Sequence, residues 1–270
     1  MQMESQQELL AGLKEIEKWE KEQKGGWIWD KLIRLPFKLL DKFTPKFIQN
    51  KIGELLDELG SFIQTGGRYL FSEKAVFRFL EKTSGWEVTQ LSDFDHVPIE
   101  VMKEASLKLG GRRKQTATVQ GASTGVGGVF TLAIDIPAIL AMSLTTLQEI
   151  AMLHGYDPKD KKERVFILKC LQFSLADVVG KEAILKELSQ FDSEAKSRDM
   201  ASQLQGWREV TLTFTEQFGF KKLLQMVPVA GILFGAISNR FLIGDLAEAG
   251  TMLYQKRRIL ERLKKKEQLT

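Results

Sequence analysis

Cysteine occurs once in this 270-residue chain, at Cys170, and histidine twice, at His96 and His154. A single thiol excludes an intramolecular disulfide, and so few soft ligands cannot assemble a Cys/His zinc site, so no metal is expected. This cysteine usage fits a reducing, cytosolic compartment. A basic and then apolar leader is also missing. The opening MQMESQQELLAGLKEIEKWEKEQK is polar and acidic, so export by a secretory signal is not expected. Sustained alternation of apolar and polar residues, the mark of half-buried strands, is absent, whereas apolar residues recur at helical spacing almost everywhere. The expected fold is all-α, a multi-helix bundle with a central glycine-lined helix pair.

With 43% hydrophobic and 27% charged residues the chain reads as globular, and a net charge of +4 makes it mildly basic. Leu9, Leu10, Leu13, Ile16 and Trp19 form one stripe, opened by a Ser5/Glu8 capping box and closed near Gly25-Gly26. A second helix is expected from Trp27 to Phe43, kinked at Pro36, and a third from Thr44-Pro45 to about Phe62, closed by Gly66-Gly67. A short helix fits Ser72 to Leu80, a loop Gly85 to Val97, and Gly110-Gly111-Arg112-Arg113 reads as a break. Asp157-Pro158 reads as an N-cap ahead of ERVFILKCLQFSLADVV, and Lys181 to Phe218 as two amphipathic helices.

Long uncharged runs are scarce. One spans 34 residues, Gln115 to Gln148, interrupted only by Asp135, and another spans 17, Leu223 to Asn239. Length permits the first to cross a bilayer. Its large apolar residues gain roughly 4 kcal/mol on insertion, however, and a central aspartate costs roughly 2.5 to 3.5, before Pro137 and the glycines are counted. Neither run is expected to span. Small residues at Gly121, Gly125 and Gly128, and at Gly231 and Gly235, would let two helices approach closely in a soluble bundle. Asp135-Ile136-Pro137 resembles a helix start. The other reading of Asp135 is a buried carboxylate, which must then be paired or protonated.

GASTGVGG lacks the lysine and the preceding strand of a phosphate loop, so no nucleotide or other cofactor is expected. Cys170 lies in an apolar stripe and reads as packed. His154 reads as a C-terminal cap or surface residue, and Asp93, Asp95 and His96 as a loop cap. No carboxylate pair is singled out for acid/base work. The clearest pointer to a partner lies between Lys24 and Lys51, with seven basic and two acidic residues beside Trp27, Trp29, Phe37, Phe43 and Phe47. Trp27, Trp29, Lys31, Arg34, Phe37 and Lys38 could form a helix lying in a lipid interface, or an ordinary surface helix with its aromatics turned inward. The basic cluster Lys256 to Lys266 could add attraction to anionic lipid, or to nucleic acid. No nucleic-acid module accompanies it.

The run TGVGGVFTLAIDIPAILAMSLTTLQEIAMLHGYD, Thr124 to Asp157, resembles the EcsC protein family, marked by a glycine-rich stretch, Asp-Ile-Pro, Gln-Glu-Ile-Ala and Gly-Tyr-Asp. Here those are Gly125, Gly128, Asp135, Pro137, Gln148, Glu149, Gly155, Tyr156 and Asp157. PVAGILFGAISN, with Gly231, Gly235 and Asn239, is similar to the family's second glycine-containing helix, and DFDHVP is a weaker match upstream. Thr145 stands where the family often has arginine, and His154 where tyrosine is usual. The resemblance implies an all-helical bacterial protein without established enzymatic activity, and its namesake is encoded beside an ABC exporter. Three segments follow: basic-aromatic helices over 1–72, an EcsC-like domain over 73–261 and a basic tail over 262–270. The expected role is peripheral association with the inner membrane surface or a membrane protein. A small-molecule binder or enzyme with a site near Asp135, or a protein with regulated membrane insertion, is the alternative.

Overall fold

A computed structural model describes residues 4–23, 60–62, 64–66, 71–124, 129–176, 178–191 and 231–268; at 121–124, 129–137 and 231–239 it describes the backbone only. All regular structure among the described residues is helical: α1 (Gln6–Glu22), α2 (Glu73–Ser84), a 3-10 turn (Leu91–Asp95), α3 (Ile99–Thr124), α4 (Val129–Leu153), α5 (Lys161–Leu175), α6 (Val178–Leu188) and α7 (Gly231–Gln268). The all-α expectation therefore holds.

Local signals place several of these helices. Ser5 and Glu8 form the expected reciprocal capping box, which satisfies two N–H groups that would otherwise lack partners. Leu9, Ile16 and Trp19 turn inward, while Leu10 stays exposed. Ser72 caps α2 and Gly85 ends it in the left-handed region, where a Cβ would be strained. Gly66, with φ +86°, donates to the Phe62 carbonyl and follows the helical residues 60–62 and 64–65.

Elsewhere tertiary contacts override the local signals. Gly110 and Gly111 do not break the chain, because α3 runs through them, and a Cβ on Gly110 would lie 2.7 Å from the Ala247 Cβ. The glycine is therefore a close-approach point with α7, whose packing outweighs a local helix penalty of about 1 kcal/mol. Asp135 does not start a helix either. It lies inside α4, which opens at Val129, because the apolar spacing continues on both sides of Asp-Ile-Pro. Pro137 leaves the Ala133 carbonyl without its helical N–H donor. Asp157 is displaced as N-cap by Asp160. It forms a turn instead, accepting from the Lys159 N–H at 2.9 Å.

The 38-residue helix α7 is the axis of the bundle, packing against α3 most extensively and against α4, α1 and α5. It continues unbroken through 261–262, the start of the expected basic tail. Among the described residues, close contacts at glycines are seen at Gly244 and Gly250. Gly244 would bring a Cβ 2.9 Å from the Lys114 side chain, and Gly250 one 2.7 Å from Leu147. Gly125 and Gly128 lie outside the described residues, and Gly231 and Gly235 fall in the first two turns of α7. Among the described residues, no helix is long and apolar enough to cross a membrane.

Candidate functional site: an arginine–aromatic cluster

The C-terminal part of α7 projects three arginines into the protein. Arg257 donates to the Glu163 carboxylate of α5 at 2.8 Å, and Tyr254 donates its hydroxyl to the other oxygen at 2.6 Å. Arg258 pairs with Asp95 of the 3-10 turn at 2.5 Å. Arg262 donates to the carbonyls of Phe94, Asp95 and Val97 and to Glu4 at 2.6 Å. The second Glu4 oxygen accepts the Ile99 N–H that opens α3, so one carboxylate joins the N-terminus, α3 and α7. Such buried charges persist because each has an opposite charge and hydrogen bonds. Within the basic cluster Lys256 to Lys266, Arg257, Arg258 and Arg262 are engaged in ion pairs and Lys256 reaches Glu20 at 2.6 Å, while Lys264 and Lys265 stay exposed.

Aromatic rings complete the cluster. The Arg257 guanidinium lies 4.1 Å from the Tyr156 ring centroid and also covers Phe166 and Phe191. Tyr254 is fully buried against His154, Tyr156 and Phe166. Gly155 sits at the left-handed position of a Schellman closure of α4, in which the Tyr156 N–H reaches the Ala151 carbonyl and the Gly155 N–H reaches Met152. A Cβ there would stand 2.8 Å from Phe94.

His154 occupies the C-cap, as expected, but it is buried rather than on the surface. The Tyr254 ring covers it, and its Nδ1 bonds the Ile150 carbonyl at 2.8 Å. Burial, reinforced by nearby Arg258, pushes its pKa down to about 4. Burial also raises the Tyr156 and Tyr254 hydroxyls and the Cys170 thiol. All four groups are therefore held neutral near pH 7, a poor state for nucleophilic work. Asp93 is a loop cap as expected. Hydrogen bonds from the Thr89 and Gln90 N–H groups hold it down at about 2.

Gln148, Glu149, Tyr156 and Asp157, the motif residues that follow Asp135, are dispersed. Glu149 takes a bidentate contact from Arg113, at 3.0 and 2.5 Å. Gln148 is buried in the core, Tyr156 belongs to the arginine cluster and Asp157 to a surface turn. Asp135 lies 18 residues, about 27 Å of helix, before Leu153, where α4 ends ahead of Tyr156. Among the described residues no group of three or more His, Cys, Asp or Glu could hold a metal. An open groove of about 490 Å³ between α1, α3 and α7 is rimmed by Glu15, Lys103, Lys114 and Glu248 around Trp19 and Leu107. Trp27, Trp29, Lys31, Arg34, Phe37 and Lys38 lie outside the described residues.

Thus DFDHVP, Gly-Tyr-Asp and the end of α7 meet in one place, and the EcsC family model matches residues 11–259. The chain belongs to the EcsC protein family. It is 59% identical over 268 residues to the uncharacterized protein YdbA of Bacillus subtilis strain 168, covering 99% of this chain and 98% of that one. It is 24% identical over 225 residues to the protein named EcsC of the same strain, covering 83% and 89%. No solved structure matches. The EcsC-family match begins inside α1, which fits the anchoring of that helix on α7 through Glu4, Trp19 and Glu20. Arg257, Arg258 and Arg262 were the functional-looking residues hardest to recognise. Their one signal is residue choice, with arginine at the buried pairing positions and lysine at 264–266 on the rim.

Proposed function

We propose that this EcsC-family protein is a non-enzymatic helical scaffold that docks peripherally on an anionic membrane surface, such as the inner face of a cell membrane. The carrying observation is the division of its positive charge. Arg257, Arg258 and Arg262 of α7 are engaged in ion pairs, whereas residues 24–51 carry a net +5 together with two tryptophans and three phenylalanines. That composition suits a lipid interface, where cations meet headgroups and aromatic rings sit below them. The buried, neutral states of Cys170 and His154 and the dispersal of Gln148, Glu149, Tyr156 and Asp157 support a binding role over a catalytic one.

Co-sedimentation of the full chain with protein-free vesicles tests this. Binding to phosphatidylglycerol-containing vesicles, weak binding to pure phosphatidylcholine, and loss of binding in the Trp27→Ala, Trp29→Ala double variant are expected. Equal and negligible binding to both vesicle types would reject docking on lipid and redirect the search to a membrane protein such as an exporter.

A further inference from the structure

The bundle is polarised along its axis. Three long helices share one direction of charge loss: α3 carries no charged residue over 115–124, α4 only Asp135 over 129–148, and α7 only Arg240 over 231–243. Their relative placement puts these stretches together. Gly110 meets Ala247 and Lys114 meets Gly244, so α3 and α7 run antiparallel; Leu147 meets Gly250 and His154 meets Tyr254, so α4 runs alongside α7 in the same sense. The charge-poor C-terminal turns of α3 and the charge-poor N-terminal turns of α4 and α7 therefore form one tip. The opposite end holds the arginine cluster with Glu4, Asp95 and Glu163.

Three of the exposed large apolar side chains stand toward the tip on three different helices: Val119 (71% exposed), Val179 (72%) and Phe241 (42%). Exposed Arg240 lies beside Phe241, and Lys114 faces α7 one turn farther from the tip. Lys181 opens α6 at the level of Asp245 and donates to Gln23 at 2.8 Å. Gln23, the C-cap of α1, lies in the tip half of the bundle, and the +5 segment follows it in the sequence. The acids nearest the tip on α7, Asp245 and Glu248, lie one to two turns behind Phe241, and Glu248 accepts from the Trp19 indole.

From this arrangement we infer that the charge-poor tip, with Val119, Val179 and Phe241 as its apolar contacts and Arg240 among them, is the surface that meets the anionic bilayer. The inference rests on the membrane reading above and specifies which end of the bundle faces lipid. Apolar side chains enter the acyl boundary while cations at their margin meet headgroup phosphates, a shallow insertion needing no spanning helix.

Vesicle binding by full-length variants decides it, using phosphatidylcholine vesicles with and without phosphatidylglycerol. Val119→Asp and Val179→Asp replace side chains that are more than two-thirds exposed, so thermal melting is expected to match the parent. Each is expected to weaken binding to anionic vesicles by about tenfold or more. Leu260→Asp, the same chemistry on an exposed residue at the arginine end, is expected to stay within about twofold of the parent, since it adds charge without touching lipid. Parent-like binding by both tip variants, with loss in the Trp27/Trp29 variant, would overturn the tip and leave membrane docking standing. Equal weakening by Leu260→Asp would overturn the tip as well, and absence of binding by the parent would overturn both. An independent readout is a fluorophore on Val119→Cys, placed selectively because native Cys170 is buried. Quenching by bromine-labelled acyl chains is expected, and none would contradict the inference.

Discussion

At Gly155 two constraints coincide, since a side chain there would need both φ +80° and space that Phe94 already occupies at 2.8 Å. Gly155→Ala should therefore cost about 2 kcal/mol or more, measured as a lower urea midpoint with an unchanged slope. His154, two rings deep in the same cluster, links stability to pH. Its folded pKa of about 4 lies below the ordinary value near 6.5, so the unfolded chain takes up the proton first on acidification. The stability it contributes is complete above pH 6.5 and is lost as pH falls toward 4, by about 3 kcal/mol at most. Urea titrations across that window should show a shallower loss for His154→Phe, and an identical slope would contradict a buried, neutral imidazole. Little of this was legible beforehand. The Gly-Tyr-Asp run could be read directly, but Arg262 and Glu4 stand 258 positions apart, and local pattern carries no information about such a pair.

Individual helices were easier to foresee where a short-range cap set their limits, as at Ser5, Ser72 and Gly85. They were misread where packing decided. Gly110-Gly111 reads as punctuation, yet only one of the pair has a packing role. A Cβ at Gly110 meets Ala247, whereas one at Gly111 meets nothing within 4 Å. Gly110→Ala should destabilise by about 1 to 3 kcal/mol through overpacking of the α3–α7 crossing. Gly111→Ala, one residue on, should stabilise by about 0.5 to 1 kcal/mol by removing unfolded-state freedom. Opposite shifts in urea midpoint check the crossing, and shifts of the same sign would contradict it. Asp135 shows the same competition, with the Asp-x-Pro start signal lying inside 25 helical residues of α4.

Among the described residues, the dense ion pairs lie at one end of the bundle and the charge-poor helix turns at the other. That division explains why Gln115 to Gln148 suggested a membrane span when taken alone. The uncharged residues extend along two antiparallel helices and meet the start of α7, so they form a tip instead of a single crossing. The polarity of the bundle is the central claim, and amide hydrogen exchange of the full chain with and without phosphatidylglycerol-containing vesicles tests it most directly. Vesicles should slow exchange at 115–124 and 231–243 and leave 254–262 unchanged. Protection confined to 254–262, or no change at either end, would contradict the account.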